Sequence, residues 1–154
     1  MMIRPANAQD VPLMVALWHE KMMLQSQTGS RPALLPDAQN RWAAAVTAWV
    51  DDSRCGLLVA EHNQAVVGFI IGCIEDNAPG LAPARIGRIV DLVIDVHSDQ
   101  SGLGRRLLDP LCAWFKAQEI HEIRVQVSPA NPVEQAFWRA SGAVEWFDVM
   151  WMRI

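Results

Sequence analysis

The run Asp91-Leu92-Val93-Ile94-Asp95-Val96-His97-Ser98-Asp99-Gln100-Ser101-Gly102-Leu103-Gly104-Arg105 changes character midway, and the change carries the fold. Its first part continues a β-rich stretch from Arg85, so Arg85 to Val96 reads as one long strand. Its last part places Gly102 and Gly104 ahead of Leu107, Leu108, Leu111, Trp114 and Phe115, which recur at helical spacing. A glycine turn therefore joins a strand to a helix. The first N–H groups of such a helix lack intrahelical partners, and glycines let a bulky anion approach them. A tight turn with close packing needs the same glycines, so the turn alone leaves both readings open.

Working outward, Ile3-Arg4 reads as a short first strand, followed by a helix starting at Asn7 or Asp10 with Pro12 in its first turns. Val11, Met14, Leu17 and Trp18 form its apolar face. Asp37 is placed to cap a second helix whose stripe is Trp42, Ala45, Val46, Trp49 and Val50. Between these helices, Ser26 to Pro36 is irregular and suited to lining a cleft. Gly56 to Glu61 and Ala65 to Ile74 read as a hairpin turning at His62-Asn63-Gln64, and Glu75 to Ala84 reads as a loop.

After the glycine turn, Pro110 removes a donor to the Arg106 carbonyl, so a local kink is expected. Ile123, Val125 and Val127 alternate as in a strand, completing a β-α-β unit with an expected right-handed crossover. Asn131-Pro132-Val133-Glu134 is a helix start, with Asn as cap and Pro in the first position, and Gly142 ends that helix. Glu145 to Ile154, rich in Trp, reads as closing strand material.

The 154 residues suit a single domain spanning residues 1–154. A net charge of −4 and the lack of a Lys/Arg run argue against a nucleic-acid partner. No window approaches a membrane span and the N-terminus lacks a signal-peptide core, so a cytoplasmic location is expected. Cys55, Cys73 and Cys112 read as buried free thiols, and the four His lack metal-ligand spacing, so no metal site is expected.

Two stretches together resemble the GNAT acyl-CoA-dependent N-acyltransferases: the strand, turn and helix from Asp91 to Arg105, and the segment from Asn131 through Phe137-Trp138 to Gly142-Ala143. The first is similar to the family's motif of Arg or Gln, two residues, Gly, any residue, and Gly or Ala. The second resembles its Asn-bearing helix with a Phe-Tyr pair. The resemblance implies an α/β (α+β) fold with a mixed, mostly antiparallel central sheet flanked by about four helices. It implies acetyl-CoA as co-substrate and a small-molecule or protein amine as acceptor. Pyrophosphate would then lie on Asp99, Gln100, Ser101, Gly102, Leu103, Gly104 and Arg105, the pantetheine arm on Ile94, Asp95 and Val96, and Asn131 and Phe137 beside the cofactor. Asn131 reads equally well as a plain helix cap.

Two positions depart from the family pattern. Asp99 stands where Arg or Gln is usual, and at about 6 Å and an effective dielectric near 20 each like-charge pair costs roughly 3 kcal/mol before screening. Asp99 is also a good N-cap, and Arg105 and Arg106 can offset its charge. Asp99→Arg is expected to tighten acetyl-CoA binding, with calorimetry as the check. Trp138 stands where the family has the Tyr that protonates the departing thiolate, and the chain contains no Tyr. Indole N–H is a donor without useful acidity.

Asp91 is the candidate general base, with a salt-bridged strand carboxylate as the plain alternative; Val90, Leu92, Ile94 and Val96 are expected on the opposite face. Glu75 and Asp76 are secondary candidates. Three readings follow: an N-acyltransferase slowed by loss of its acid, a binding or sensing module, and an interaction domain with a filled cleft. Trp146 and Trp151 suit either core packing or a homodimer surface.

Overall fold

The strands β1 (Met2–Pro5), β2 (Cys55–His62), β3 (Ala65–Asp76), β4 (Arg85–Ile94) and β5 (Ile123–Arg124) pair in chain order into one sheet. They come from a computed structural model describing residues 1–28, 33–98 and 101–154. The β1–β2, β2–β3 and β3–β4 pairs are antiparallel, and β4–β5 is parallel. Helices α1 (Val11–Thr28) and α2 (Ala38–Val50) precede β2; α3 (Leu103–Ala117) joins β4 to β5, and α4 (Pro132–Ala140) follows. Among the described residues this is the expected mixed, mostly antiparallel sheet with four α-helices. None of those helices is long and apolar enough to cross a membrane.

The β2–β3 turn forms at Asn63 and Gln64, whose φ values of 50° and 64° suit the twist of a two-residue hairpin. β3 is buried from Val66 to Ile74 because both its faces are covered. On one side Met14 and Trp18 of α1 and Val46 of α2 meet Val59, Phe69, Ile71 and Val93. Trp18 stacks on Trp42 with ring centroids 4.9 Å apart. On the other side Leu107, Leu111 and Phe115 of α3 meet Ala60, Val67, Ile70 and Ile89. The sheet makes room for α3 with glycine. A Cβ at Gly72 would lie 2.7 Å from Phe115 Cζ, and one at Gly87 would lie 2.6 Å from both Phe115 Cε1 and Ile123 Cγ2. Neighbouring strands thus form a trough that receives the Phe115 ring.

The entry to α1 is tied to the sheet. Asn7 Oδ1 accepts from Gln9 N, and Asp10 Oδ2 accepts from Asn7 N, each at 2.8 Å, forming a capping box. The Asp10 side chain, 5% exposed as a residue, accepts two 2.8 Å hydrogen bonds from Arg4, whose Nε donates to Glu61 at 2.9 Å. Those Arg4 bonds, aided by the Asn7 N–H, hold the Asp10 carboxyl below the usual range against the opposing pull of burial.

Several expectations are corrected. Cys55 and Cys73 sit opposite each other on β2 and β3, with Cα atoms 4.1 Å apart, and are joined in a disulfide; Cys112 alone is free. Strand register brings them together across 18 residues of sequence, which their spacing alone does not reveal. Asp37 occupies the N-cap of α2 but its carboxylate accepts from Arg41 Nε instead of a backbone N–H. β3 runs on to Asp76, beyond the expected boundary. A bulge opposite Ile71 and Gly72, which pair with Asp91 and Ile89, moves Val90 to the α1 side, away from Leu92 and Ile94.

The expected closing strand from Glu145 is absent: residues 143–154 form no ladder, and Trp146, Met150 and Trp151 are 82%, 90% and 73% exposed. Apolar, β-prone composition sets a preference, but a strand exists only where a neighbour meets its N–H and C=O groups. Core packing of Trp146 and Trp151 is thereby excluded in this conformation.

Candidate active site

β5 meets β4 only at the pairs Gly87–Ile123 and Arg88–Arg124, so past Arg88 that edge of β4 has no strand beside it among the described residues. Asp95 N donates to Val67 O at 2.9 Å. By the two-residue alternation of an antiparallel ladder, Asp91 and Val93 spend their backbone groups on β3, while Leu92 and Ile94 turn theirs to the open edge. A cleft of about 190 Å³ lies here, lined by Leu17, Glu20 and Lys21 of α1, by Ile94 and Val96, and by Asn131. Three of the residues predicted to hold the cofactor therefore share one cavity.

At the start of α3, Gly102 adopts φ 76°, and nothing lies within 4 Å of where its Cβ would be. The left-handed turn requires glycine, and the space beside it is open. Gly104 plays a different part. Its Cβ would lie 2.9 Å from the Phe137 ring, so this glycine brings α4 against α3. The N–H groups of Leu103, Gly104 and Arg105 begin the helix, the first intrahelical bond running from Arg106 N to Gly102 O. Arg105 Nε pairs with Asp109 at 2.8 Å on the exposed face. Ser101 is exposed at the turn, and Asp99 and Gln100 lie outside the described residues.

Asn131 caps α4: its Oδ1 accepts from Glu134 N, and its Nδ2 donates to Glu134 Oε2, both at 3.1 Å. Trp138, 4% exposed, packs into the core with Leu103 and Leu107, and its Nε1 has no partner among the described residues. Asp91 is only 14% exposed at its side chain and accepts from Lys21 Nζ at 2.6 Å. That ammonium also donates to Leu92 O at 3.1 Å and Glu134 Oε1 at 3.3 Å, joining α1, β4 and α4. At the rim, His97 Nε2 lies 3.3 Å from Glu20 Oε1, and Asp95 Oδ1 accepts from His97 N at 2.9 Å. Glu75, by contrast, pairs with Arg88 and Arg124 at the other end of β4, remote from the cleft as a candidate base.

Lys21 and Glu134 were not singled out from the sequence as site residues. The signal for Lys21 was available: it falls at i+7 from Met14 and i+3 from Trp18, on the buried stripe of α1. A lysine on such a stripe needs partners. Nothing local in the sequence indicates that they are Asp91 and Glu134.

The sequence profile described as "Acetyltransferase (GNAT) family" matches residues 18–143, which take in the later part of α1, the open edge of β4, the glycine turn and α4. The chain belongs to the GNAT family. No curated protein matches it. Among solved structures, a tetramutant of the BH1408 protein from Bacillus halodurans superposes with a TM-score of 0.83 at 18% identity, covering 100% of both chains. A predicted acetyltransferase with acetyl-CoA from Clostridium acetobutylicum gives 0.81 at 16% identity, covering 99% of this chain and 95% of that one. The aminoglycoside 6'-N-acetyltransferase AAC(6')-IG from Acinetobacter haemolyticus gives 0.78 at 15% identity, covering 100% and 98%. Identities this low establish the shared fold.

In this GNAT protein the charge of Lys21 is linked to stability. Burial lowers its proton affinity, but the fields of Asp91 and Glu134 and their hydrogen bonds prevail, raising its pKa above the ordinary 10.5. The folded state thus binds this proton more tightly than the unfolded chain. The resulting stabilisation is full below the unfolded value and is lost as pH rises through the folded one. Denaturant unfolding above pH 10 is expected to show wild type losing stability more steeply than Lys21→Met. Equal slopes would refute the linkage.

Proposed function

We propose that this GNAT protein is an N-acetyltransferase that moves an acetyl group from acetyl-CoA to a primary amine by direct attack, the whole chain acting as one catalytic domain. The observation that carries the reading is the open edge of β4, toward which the Leu92 and Ile94 backbone groups turn, with Ile94 lining the cleft and the part-buried Asp91 carboxylate on the same strand. An unpaired strand edge can hold an amide-bearing arm by strand-like hydrogen bonds. Ile94, Asp95, Val96 and Asn131 would take the pantetheine arm, and the N–H groups from Gly102 to Arg105 the diphosphate. Phe137 supports this second site by packing on Gly104.

Holding thioester and amine together supplies much of the rate. Asp91 receives the proton of the attacking amine. Core-packed Trp138 supplies no acid, so the thiolate, with a pKa of about 8.5 by analogy with cysteine, leaves unaided, and the rate is lower by about 10² to 10⁴ than with an acid present. Glu20, Asp91, Asp95 and Glu134 around the cleft favour a cationic acceptor. Aminoglycosides, the substrates in the name of one structural relative, belong to that class.

A second reading, acyl-CoA binding without turnover, draws on the burial of Trp138 and the pairing of Asp91 with Lys21. Acetyl-CoA titration combined with thiol release across a panel of amines separates the two. Binding with amine-dependent release is expected. Binding without release for any amine would leave a sensing module, and no binding would sink both.

A further inference from the structure

Resting on the transferase reading, we propose that Lys21 is a catalytic residue whose ammonium stabilises the oxyanion formed at the thioester carbonyl, a part that no motif in the chain announces. Lys21 Nζ touches the Leu92 carbonyl, which by ladder alternation lies on the open edge of β4, and the same nitrogen touches Asp91, the proton acceptor. Among the described residues lining this cleft it is the one cation, and Glu20 is the other charged residue. Its side chain is 20% exposed, so its field is screened less than that of a surface lysine.

The groups facing Lys21 are Asp91 on β4 and Glu134 on α4, with Glu20 next to it on α1 and Asp95 and His97 at the rim. Two contacting carboxylates against one ammonium leave a net negative charge at rest. The reaction changes that balance. The amine nitrogen forms its bond to the carbonyl carbon, the carbonyl π pair moves onto oxygen, and the amine proton passes to Asp91. Asp91 is then neutral, and the Lys21 charge it had been offsetting becomes available to the new oxyanion. When the oxygen pair returns, the carbon–sulfur bond breaks and the thiolate leaves. The proton on Asp91 passes through water to the thiolate, leaving amide, thiol and an unchanged Lys21.

The test uses two probes, acetyl-CoA and its trifluoromethyl ketone analogue, whose hydrated carbonyl presents tetrahedral oxygens and has no leaving group. Lys21→Met is expected to shift the Kd of acetyl-CoA by less than about 3-fold and to weaken the analogue by more than about 30-fold. It should also lower kcat by about 10² to 10³. Lys21→Arg, which keeps the charge, should retain the preference for the analogue. Should Lys21→Met fail to fold, Lys21→Gln carries the same expectation, and loss of analogue preference in the folded Arg variant would overturn the proposal. So would equal weakening of both ligands, an unchanged analogue Kd, or failure of wild type to bind either probe. If wild type releases thiol to no amine yet prefers the analogue in a Lys21-dependent way, the contact of Lys21 with a tetrahedral oxygen stands, while its catalytic role falls with the transferase reading. If wild type turns over normally and kcat is unmoved in Lys21→Met, the reverse holds.

Discussion

Asp91→Asn is expected to lower kcat/KM by about 10² to 10⁴, the range for losing a positioned proton acceptor. The amide keeps the size of the carboxylate and can still accept from Lys21, so packing at the junction of β4 and α1 is retained. What disappears is a charged group able to take the proton of the attacking amine. The effect should fall on kcat, while acetyl-CoA affinity stays within a few-fold, because the proposed donor site uses backbone groups farther along the edge and at the start of α3. Steady-state thiol release with a saturating amine, alongside calorimetry for acetyl-CoA, reads both quantities. A kcat within 3-fold of wild type would assign Asp91 a purely structural ion pair.

The second large effect concerns stability. Phe115→Ala is expected to cost about 3 to 5 kcal/mol, a large share of the roughly 5 to 15 kcal/mol that holds a domain folded. The residue is 1% exposed and its ring fills the trough lined by Gly72 and Gly87. Strand backbones paired on both sides cannot close over the vacated volume, so the cavity persists and the upper part of the range applies. At the size of this chain the melting temperature should fall on the order of 10 °C. Calorimetric unfolding provides the measure, and a shift under 3 °C would show that the trough collapses.

Legibility varied with the range of the interactions involved. The hairpin at Asn63 and Gln64, the Asn7 entry to α1 and the Asn131 cap of α4 were readable because each is settled by residues within about one turn. The bulge at Val90 was not, since it exists only in the register of β4 against β3, and it reassigns the faces of every residue before it. The terminal segment shows the same limit from the other side. Its Trp and Met content spoke for burial, while the fold leaves it outside the sheet and largely exposed. The glycine pair divided in a way spacing could not express: Gly102 serves an open left-handed turn and Gly104 a contact with Phe137.

By itself the sequence determined the kind and order of the elements from β1 to α4, the glycine turn, the two stretches that mark the GNAT family and the lack of any Tyr, because all of these are properties of neighbouring residues or of composition. Only the tertiary structure decided that β5 leaves β4 after two pairs, that Cys55 meets Cys73, and that Lys21 joins Asp91 to Glu134. Those features bring together groups as many as 113 residues apart in the chain. Their positions follow from how the helices and strands pack, which no local pattern of side chains encodes.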